Sequence, residues 1–328
     1  PYIPVGKLIV IKDIDSMAVA EQSISRGTSR SFAGLTRKQW RNIGTGFFFI
    51  SPWFFGLILW TVYPLFSSLW YSFHRYDLIR PAVWLGAKNY MQIFFEDPTF
   101  WEVSWNTFYF VGFGIPLGVA GAFLMASLLN TDMRGRSIFR TIFFFPAIVP
   151  AIVTAMVWQF LLNIQFGAVN AFLQGVGLPV IPFLSNPTLA KPSIILIHIW
   201  AQGNAMVIFL ATLQDVPRSL YEAATVDGAN AWQKFKNITI PMTTPVILFN
   251  LVIGFIYGFQ NFTLPWLLTA GGPNNATEFY SLFLYRNAFM FFRMGKASAL
   301  AWILFVVIVI FTIVLFRTSN RWVHYASE

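Results

Sequence analysis

The sequence contains no cysteine, and only 11% of its 328 residues carry a charge. The first absence excludes disulfides, thiolate nucleophiles and cysteine-ligated metals. The second sets the chain apart from soluble domains, in which roughly a quarter of residues are charged. Histidine is almost as scarce: His74, His198 and His324 are too scattered to suggest a metal site. The phosphate-cradling pattern G-x-x-x-x-G-K-[ST] is missing too, since Gly295-Lys296 is followed by Ala297. A chain without it has no P-loop with which to bind ATP. Residues 1–45 lack an apolar core of signal-peptide length before a small-residue cleavage site, which predicts a retained tail.

What is present is apolar. Hydrophobic residues make up 56% of the chain, with 37 Phe and 13 Trp. That much apolar surface excludes disorder and calls for a lipid solvent. Six windows contain no Asp, Glu, Lys or Arg: 42–74, 103–131, 141–190, 192–214, 237–277 and 297–316. One such charge at a helix centre costs about 2.5 to 3.5 kcal/mol on insertion, and each window can hold the ~20 apolar residues that cross a bilayer. The 50-residue window is punctuated in its second half by Gly167, Gly175, Gly177, Pro179, Pro182 and Pro187. It reads as one span, about 141–162, followed by an outer loop with a short amphipathic helix. The expected fold is an all-α polytopic membrane protein with six transmembrane helices.

The net charge of +9 comes without a nucleic-acid recognition motif, so it reports topology instead. With the N-terminus in the cytoplasm, inner segments carry 15 Lys and Arg and outer loops 7. Positive-inside counting therefore places both termini in the cytoplasm. The expected organisation is a tail over 1–45, a six-helix domain over 46–317 and a second tail over 318–328.

One inner loop differs from the rest. Pro217, Glu222 and two alanines read as a helix start, and Gly228 permits a turn of small cross-section. By composition this is equally an amphipathic helix lying on the membrane surface without a partner. Its spacing adds more. Glu222-Ala223-Ala224, three residues, Gly228, nine residues and Ile238-Thr239-Ile240-Pro241 resemble the EAA loop of permease subunits in binding-protein-dependent ABC importers. Ile240 stands where that pattern usually has Leu. Asp227-Gly228-Ala229, Phe235 and Pro241 further resemble its carbohydrate branch, with maltose-type and glycerol-phosphate-type permeases. Tyr63-Pro64, Asn89-Tyr90, Gly135-Arg136, Phe139-Arg140 and Gly271-Gly272-Pro273 extend the similarity over about residues 46–328.

The resemblance implies the type I importer permease fold and a bacterial inner-membrane location. It implies that the loop at 217–241 couples to a cytoplasmic ATPase through Glu222, Ala223, Ala224, Asp227, Gly228, Ala229 and Pro241. It further implies a second homologous permease, two ATPase subunits and a periplasmic solute-binding protein. The chain itself would be non-catalytic and bind no cofactor, ATP and Mg being expected on the ATPase subunits. The carboxylates of Glu222 and Asp227 suit basic groups of a partner. The substrate implied is a sugar or oligosaccharide. Similarity to the alginate importer's permease, with Arg75, Arg80, Lys88, Arg286, Arg293 and Lys296 in outer loops, would make that glycan acidic. Arginine and lysine near headgroups account for the same residues without a substrate.

Within the spans, polar side chains mark a candidate pathway. Asn250, Gly254, Tyr257 and Asn261 fall on one helical stripe, with Gln260 beside it. His198 and Gln202 are four apart on the preceding span, as are Gln159 and Asn163 on the third. Amide groups would meet sugar hydroxyls and aromatics would stack on ring faces. Interhelical hydrogen bonds and small-residue packing explain the stripe equally well. No charged residue lies mid-span, which argues against a proton-coupled secondary transporter, the ATP-independent alternative. The charge count makes a direct prediction: cysteines placed at Ser31, Ser137 and Ser319 label from the cytoplasm only. Labelling of any of them from the periplasm in intact cells refutes the orientation.

Overall fold

The computed structural model describes residues 37–324, with side chains from residue 39. Ser31 and most of the 1–45 tail, like the last four residues of the 318–328 tail, lie outside the described residues. The elements in chain order are α1 (Arg37–Leu57), α2 (Tyr63–Ser72), β1 (His74–Arg75), β2 (Val83–Trp84), α3 (Lys88–Met91), α4 (Pro98–Tyr109), α5 (Ile115–Leu129), α6 (Arg136–Ile148), α7 (Ala151–Leu161), α8 (Ala168–Gly175), α9 (Pro187–Trp200), α10 (Gly203–Asp215), α11 (Arg218–Val226), α12 (Ala231–Lys234), α13 (Ile240–Phe259), α14 (Thr263–Thr269), α15 (Tyr280–Tyr285) and α16 (Met294–Ser319). Two compact units divide the chain, one ending at Pro64 and the other starting at Leu65. In the first, α1 and the π-helical turn Ile58–Val62 leave Phe48, Phe49, Trp53 and Trp60 exposed.

Four helical runs are long and apolar enough to cross a bilayer: Gln39–Ser72, Pro98–Leu129, Ala231–Phe259 and Met294–Ser319. Two more candidates are bent pairs, α6 with α7 at 103° and α9 with α10 at 45°. The first bend falls inside the span expected over 141–162. Pro150 disfavours helical backbone at the residue before it, and Val149 is extended at φ −70°, ψ 128°. The helix therefore stops at Ile148 and restarts after Pro150 in a new direction. The expected short helix of the following loop is α8.

Proline is handled differently in the fifth span. Pro241 and Pro245 each lack the N–H that an α-helix would use. The turn before Pro241 widens to a π-helix, Phe235–Thr239. The carbonyl of Pro241, which Pro245 cannot reach, accepts instead from Thr244 Oγ1 at 2.6 Å. Thr244 Oγ1 in turn accepts from the His324 amide at 2.9 Å, tying the end of the described chain to α13.

The core of the second unit is a packed seam of α5, α10 and α13, with Phe110, Phe209 and Phe259 fully buried. Polar groups also tie elements distant in sequence. Asn106 Nδ2 donates to the Asn275 carbonyl at 2.8 Å, while its Oδ1 accepts from Lys191 Nζ at 2.8 Å. Tyr280 OH donates to the Leu300 carbonyl at 2.8 Å. Asp97 caps α4 through the Thr99 amide and pairs with Lys296 at 2.6 Å, both side chains less than a fifth exposed. Glu278 pairs with Arg286 at 2.9 Å, and burial pushes its carboxyl pKa up against the pull of that guanidinium. Three of the six basic residues expected in outer loops thus have acidic partners within the chain, Arg80 contacting Asp77 at 3.9 Å.

Two predictions follow from these positions. Ser137 is exposed but Ser319 is buried, so the labelling experiment is cleaner with Asn320→Cys, which is exposed. Breaking a buried ion pair from one side leaves the other charge unpaired. Asp97→Asn or Lys296→Met alone is expected to lower stability by up to about 3 kcal/mol, and the double change to recover much of it. Thermal melting of the purified transporter measures this, and simply additive losses would show that the pair is not coupled.

Candidate functional site: a coupling loop and a polar cavity

The loop singled out by its spacing is a helix, a glycine turn and a second helix. Pro217, at φ −57° and ψ 127°, leads into α11. At the other end the Ala229 amide donates to the Ala224 carbonyl at 2.9 Å and the Gly228 amide to the Thr225 carbonyl at 3.1 Å. This pair of bonds is a Schellman motif, which needs a left-handed residue at the turn. Gly228 supplies it with φ +76°. Two residues later Asn230 Oδ1 accepts from the Gln233 amide at 2.9 Å, and Gln233 Oε1 from the Asn230 amide at 2.8 Å. This capping box starts α12 and was readable as Asn-x-x-Gln, a signal the sequence reading passed over.

The fold leaves α11 without a covering element. None of its residues is buried, and beside Val226 (88% exposed) Trp232 is 68% exposed. Glu222, Ala223, Asp227 and Gly228 are all exposed, while Ala224, Ala229 and Pro241 are half-buried. Neither Glu222 nor Asp227 forms an ion pair among the described residues. The loop is braced on its inner side: Tyr221 OH meets Thr239 Oγ1 at 3.0 Å, Lys234 Nζ donates to Thr225 Oγ1 at 2.8 Å, and Phe235 stacks on both Trp232 and Phe123. A rigid small-residue surface flanked by unpaired carboxylates and bare apolar side chains is thereby held out from the spans.

The polar residues of the spans divide between two places. His198, Gln202, Asn250, Tyr257 and Asn261 line one cavity of about 530 Å³. Gln202 Nε2 lies 2.8 Å from His198 Nε2, and Asn250 Nδ2 donates to the Val246 carbonyl of its own helix at 2.9 Å. Tyr257 is 70% exposed and presents its ring to this space. Asn204, just past the break between α9 and α10, joins the lining; the clustered Gln202-Gly203-Asn204 could have signalled it. Gly254 has a packing role, because a Cβ there would come within 2.7 Å of Ile115 Cγ2. The small-residue explanation thus accounts for the glycine, and the cavity for its polar neighbours.

Gln260 does not reach the cavity. α13 ends at Phe259, and Gln260 Nε2 donates back to the Ile256 carbonyl at 2.9 Å. Gln159 and Asn163 line a separate cavity of about 370 Å³. Neither cavity is lined by Asp, Glu, Lys or Arg. Among the described residues no three His, Asp or Glu side chains gather as metal ligands. The arrangement offers neutral hydrogen-bonding groups and aromatic faces, suited to binding a polar uncharged surface.

Comparison with known proteins agrees with this architecture. The chain is 41% identical to the probable ABC transporter permease protein YesP of Bacillus subtilis, over 86% of this chain and 93% of that one. It is 30% identical to the trehalose/maltose transport system permease protein MalF of Thermococcus litoralis, over 87% and 97% of the two chains. Its fold matches a chain of a bacterial alginate ABC transporter, solved in complex with an alginate pentasaccharide-bound periplasmic protein, with a TM-score of 0.76 at 23% identity over 87% and 98% of the chains. Residues 114–325 match the family described as binding-protein-dependent transport system inner membrane component. With that match over more than half its length and a relative above 40% identity, the chain belongs to the family of inner-membrane permease components of binding-protein-dependent transport systems.

Proposed function

We propose that this permease carries a sugar or oligosaccharide from a periplasmic binding protein to the cytoplasm by alternating access, driven by ATP hydrolysed on separate subunits. The single observation that carries the coupling half of this reading is the bare, internally braced loop at 217–241. Glu222 to Gly228 form the joint with an ATPase subunit, Ala223 and Ala224 allowing close approach, and Ala229 and Pro241 fixing the exit of the chain. A second, homologous permease completes the channel, two ATPase subunits bind Mg and ATP, and both termini face the cytoplasm. Closure of the ATPase pair on ATP brings the two coupling helices together and rocks the permeases outward-facing. The bound solute is then released into the cavity. Family membership removes the reason for an ATP-independent secondary transporter.

The cavity beside α13 supports a saccharide through its amides and the Tyr257 ring, and the trehalose/maltose relative supports the same class. An acidic glycan finds no cation of this chain there. Of the basic residues in the outer loops, Arg80, Arg286 and Lys296 already have acidic partners.

Two experiments test the halves separately. Glu222→Ala removes a charge-assisted contact worth about 1.5 to 3 kcal/mol, so ATPase association should weaken by roughly tenfold or more. Gly228→Asp adds a Cβ, bulk and a second carboxylate beside Asp227. Gly228→Asn, which tolerates left-handed backbone without adding a charge, should retain more activity. Glu222→Ala and Gly228→Asp are each expected to insert normally and to lose ATPase stimulation by loaded binding protein. Wild-type association, stimulation and uptake in Glu222→Ala and Gly228→Asp alike would show that this loop is not the joint.

For the pathway, Asn250→Ala, Tyr257→Ala and Asn261→Ala should alter uptake while the complex still assembles and hydrolyses ATP. Gln260→Ala, outside the cavity, should leave uptake unchanged. Loss of assembly together with uptake in the first three would instead assign them to helix packing.

A further inference from the structure

The cavity beside α13 has a neighbour. The second cavity opens between the end of α7, the loop before α9 and the end of α14, with Gln159, Asn163, Ser185 and Thr269 as its polar lining. Both touch the same short helix: Leu264 of α14 lines the first cavity and Leu268 the second. Four residues of helix separate these positions by about 6 Å. In the topology proposed above, α6 and α7 lead from the cytoplasmic loop before Arg136 toward the outer face, so the second cavity is taken as the outer one.

Of the short elements here, α14 lines both cavities and α7 only the second. α14 packs on α7, and Gln159 Nε2 reaches the Leu268 carbonyl at 3.5 Å. Each element follows a break in its helical path. α7 comes after the 103° bend at Val149-Pro150, and α14 after the end of α13 at Phe259. Short helices bounded by breaks can shift as units with few hydrogen bonds lost. In the outer cavity Asn163 Oδ1 is committed to the amides of Gln165 and Phe166, at 2.8 and 3.2 Å. Its Nδ2 has no partner among the described residues and remains available as a donor.

We infer that the outer cavity is a second saccharide subsite, in series with the first, and that α14, packed on α7, is the septum between them. Two neutral amide-bearing chambers one helical turn apart fit an extended oligosaccharide whose hydroxyls are met in both. This rests on reading the first cavity as the transport pathway, and its test separates the two.

The chain has no native thiol, so Gln159→Cys and Tyr257→Cys each report one chamber. In the assembled transporter with its binding protein, maleimide modification of this chain is followed with neutral glucan and uronate oligosaccharides, from disaccharide to pentasaccharide, using the series that the wild type takes up. Saturating pentasaccharide is expected to slow modification about tenfold at both positions, and disaccharide at position 257 alone. Co-purification of both variants with the ATPase subunits confirms that they are assembled. Position 159 reacting at one rate with every saccharide, while position 257 is protected, overturns the second subsite. Position 257 unprotected by any saccharide overturns the pathway reading itself. A wild type that takes up none of the panel removes the saccharide reading and this inference with it.

Discussion

Inside hydrocarbon every backbone amide and carbonyl must find its partner within the protein, and this chain faces that demand with 18 prolines in its sequence. A proline in a helical run removes a donor, and two places show two different responses. At Val149-Pro150 the helix stops, and the span turns by 103°. At Pro245 the chain substitutes, a threonine hydroxyl taking the orphaned carbonyl. The cavities follow from the same requirement. Irregular backbone is tolerated at membrane depth only where protein buries it or water reaches it, and both chambers lie beside broken helices.

The coupling loop obeys the opposite constraint. It lies where water can satisfy its backbone, so its order has to come from local bonds. The Schellman turn at Gly228 and the capping box at Asn230 supply them back to back, and the stacking of Phe235 on Phe123 anchors the result to α5. That is why so exposed a segment holds a defined form, and why its small residues can serve as a docking surface.

Much of this was legible in the residues. Charge-free windows found the spans because insertion penalises charge so heavily, and the resemblance drew attention to Glu222 to Gly228, where the structure has an exposed helix ending in a left-handed glycine. The bend at Pro150 was missed because an apolar count is blind to direction, although a proline inside a window is a readable warning. Gln260 was placed beside the stripe, but its side chain turns back to the Ile256 carbonyl while its neighbour Asn261 lines the cavity. The division of polar residues between two chambers was beyond the sequence: Gln159 and Leu268 are more than a hundred residues apart and meet only through tertiary packing.

The hydroxyl of Thr244 holds two ends of the molecule at once, donating to the Pro241 carbonyl and accepting from the His324 amide. It sits three residues beyond the proline that closes the coupling loop. Anything fused immediately after residue 324 therefore pulls on the same atom that mends the gap left by Pro245. A fluorescent or affinity tag attached there without a spacer would become a mechanical probe of the coupling loop, where an inert handle was intended.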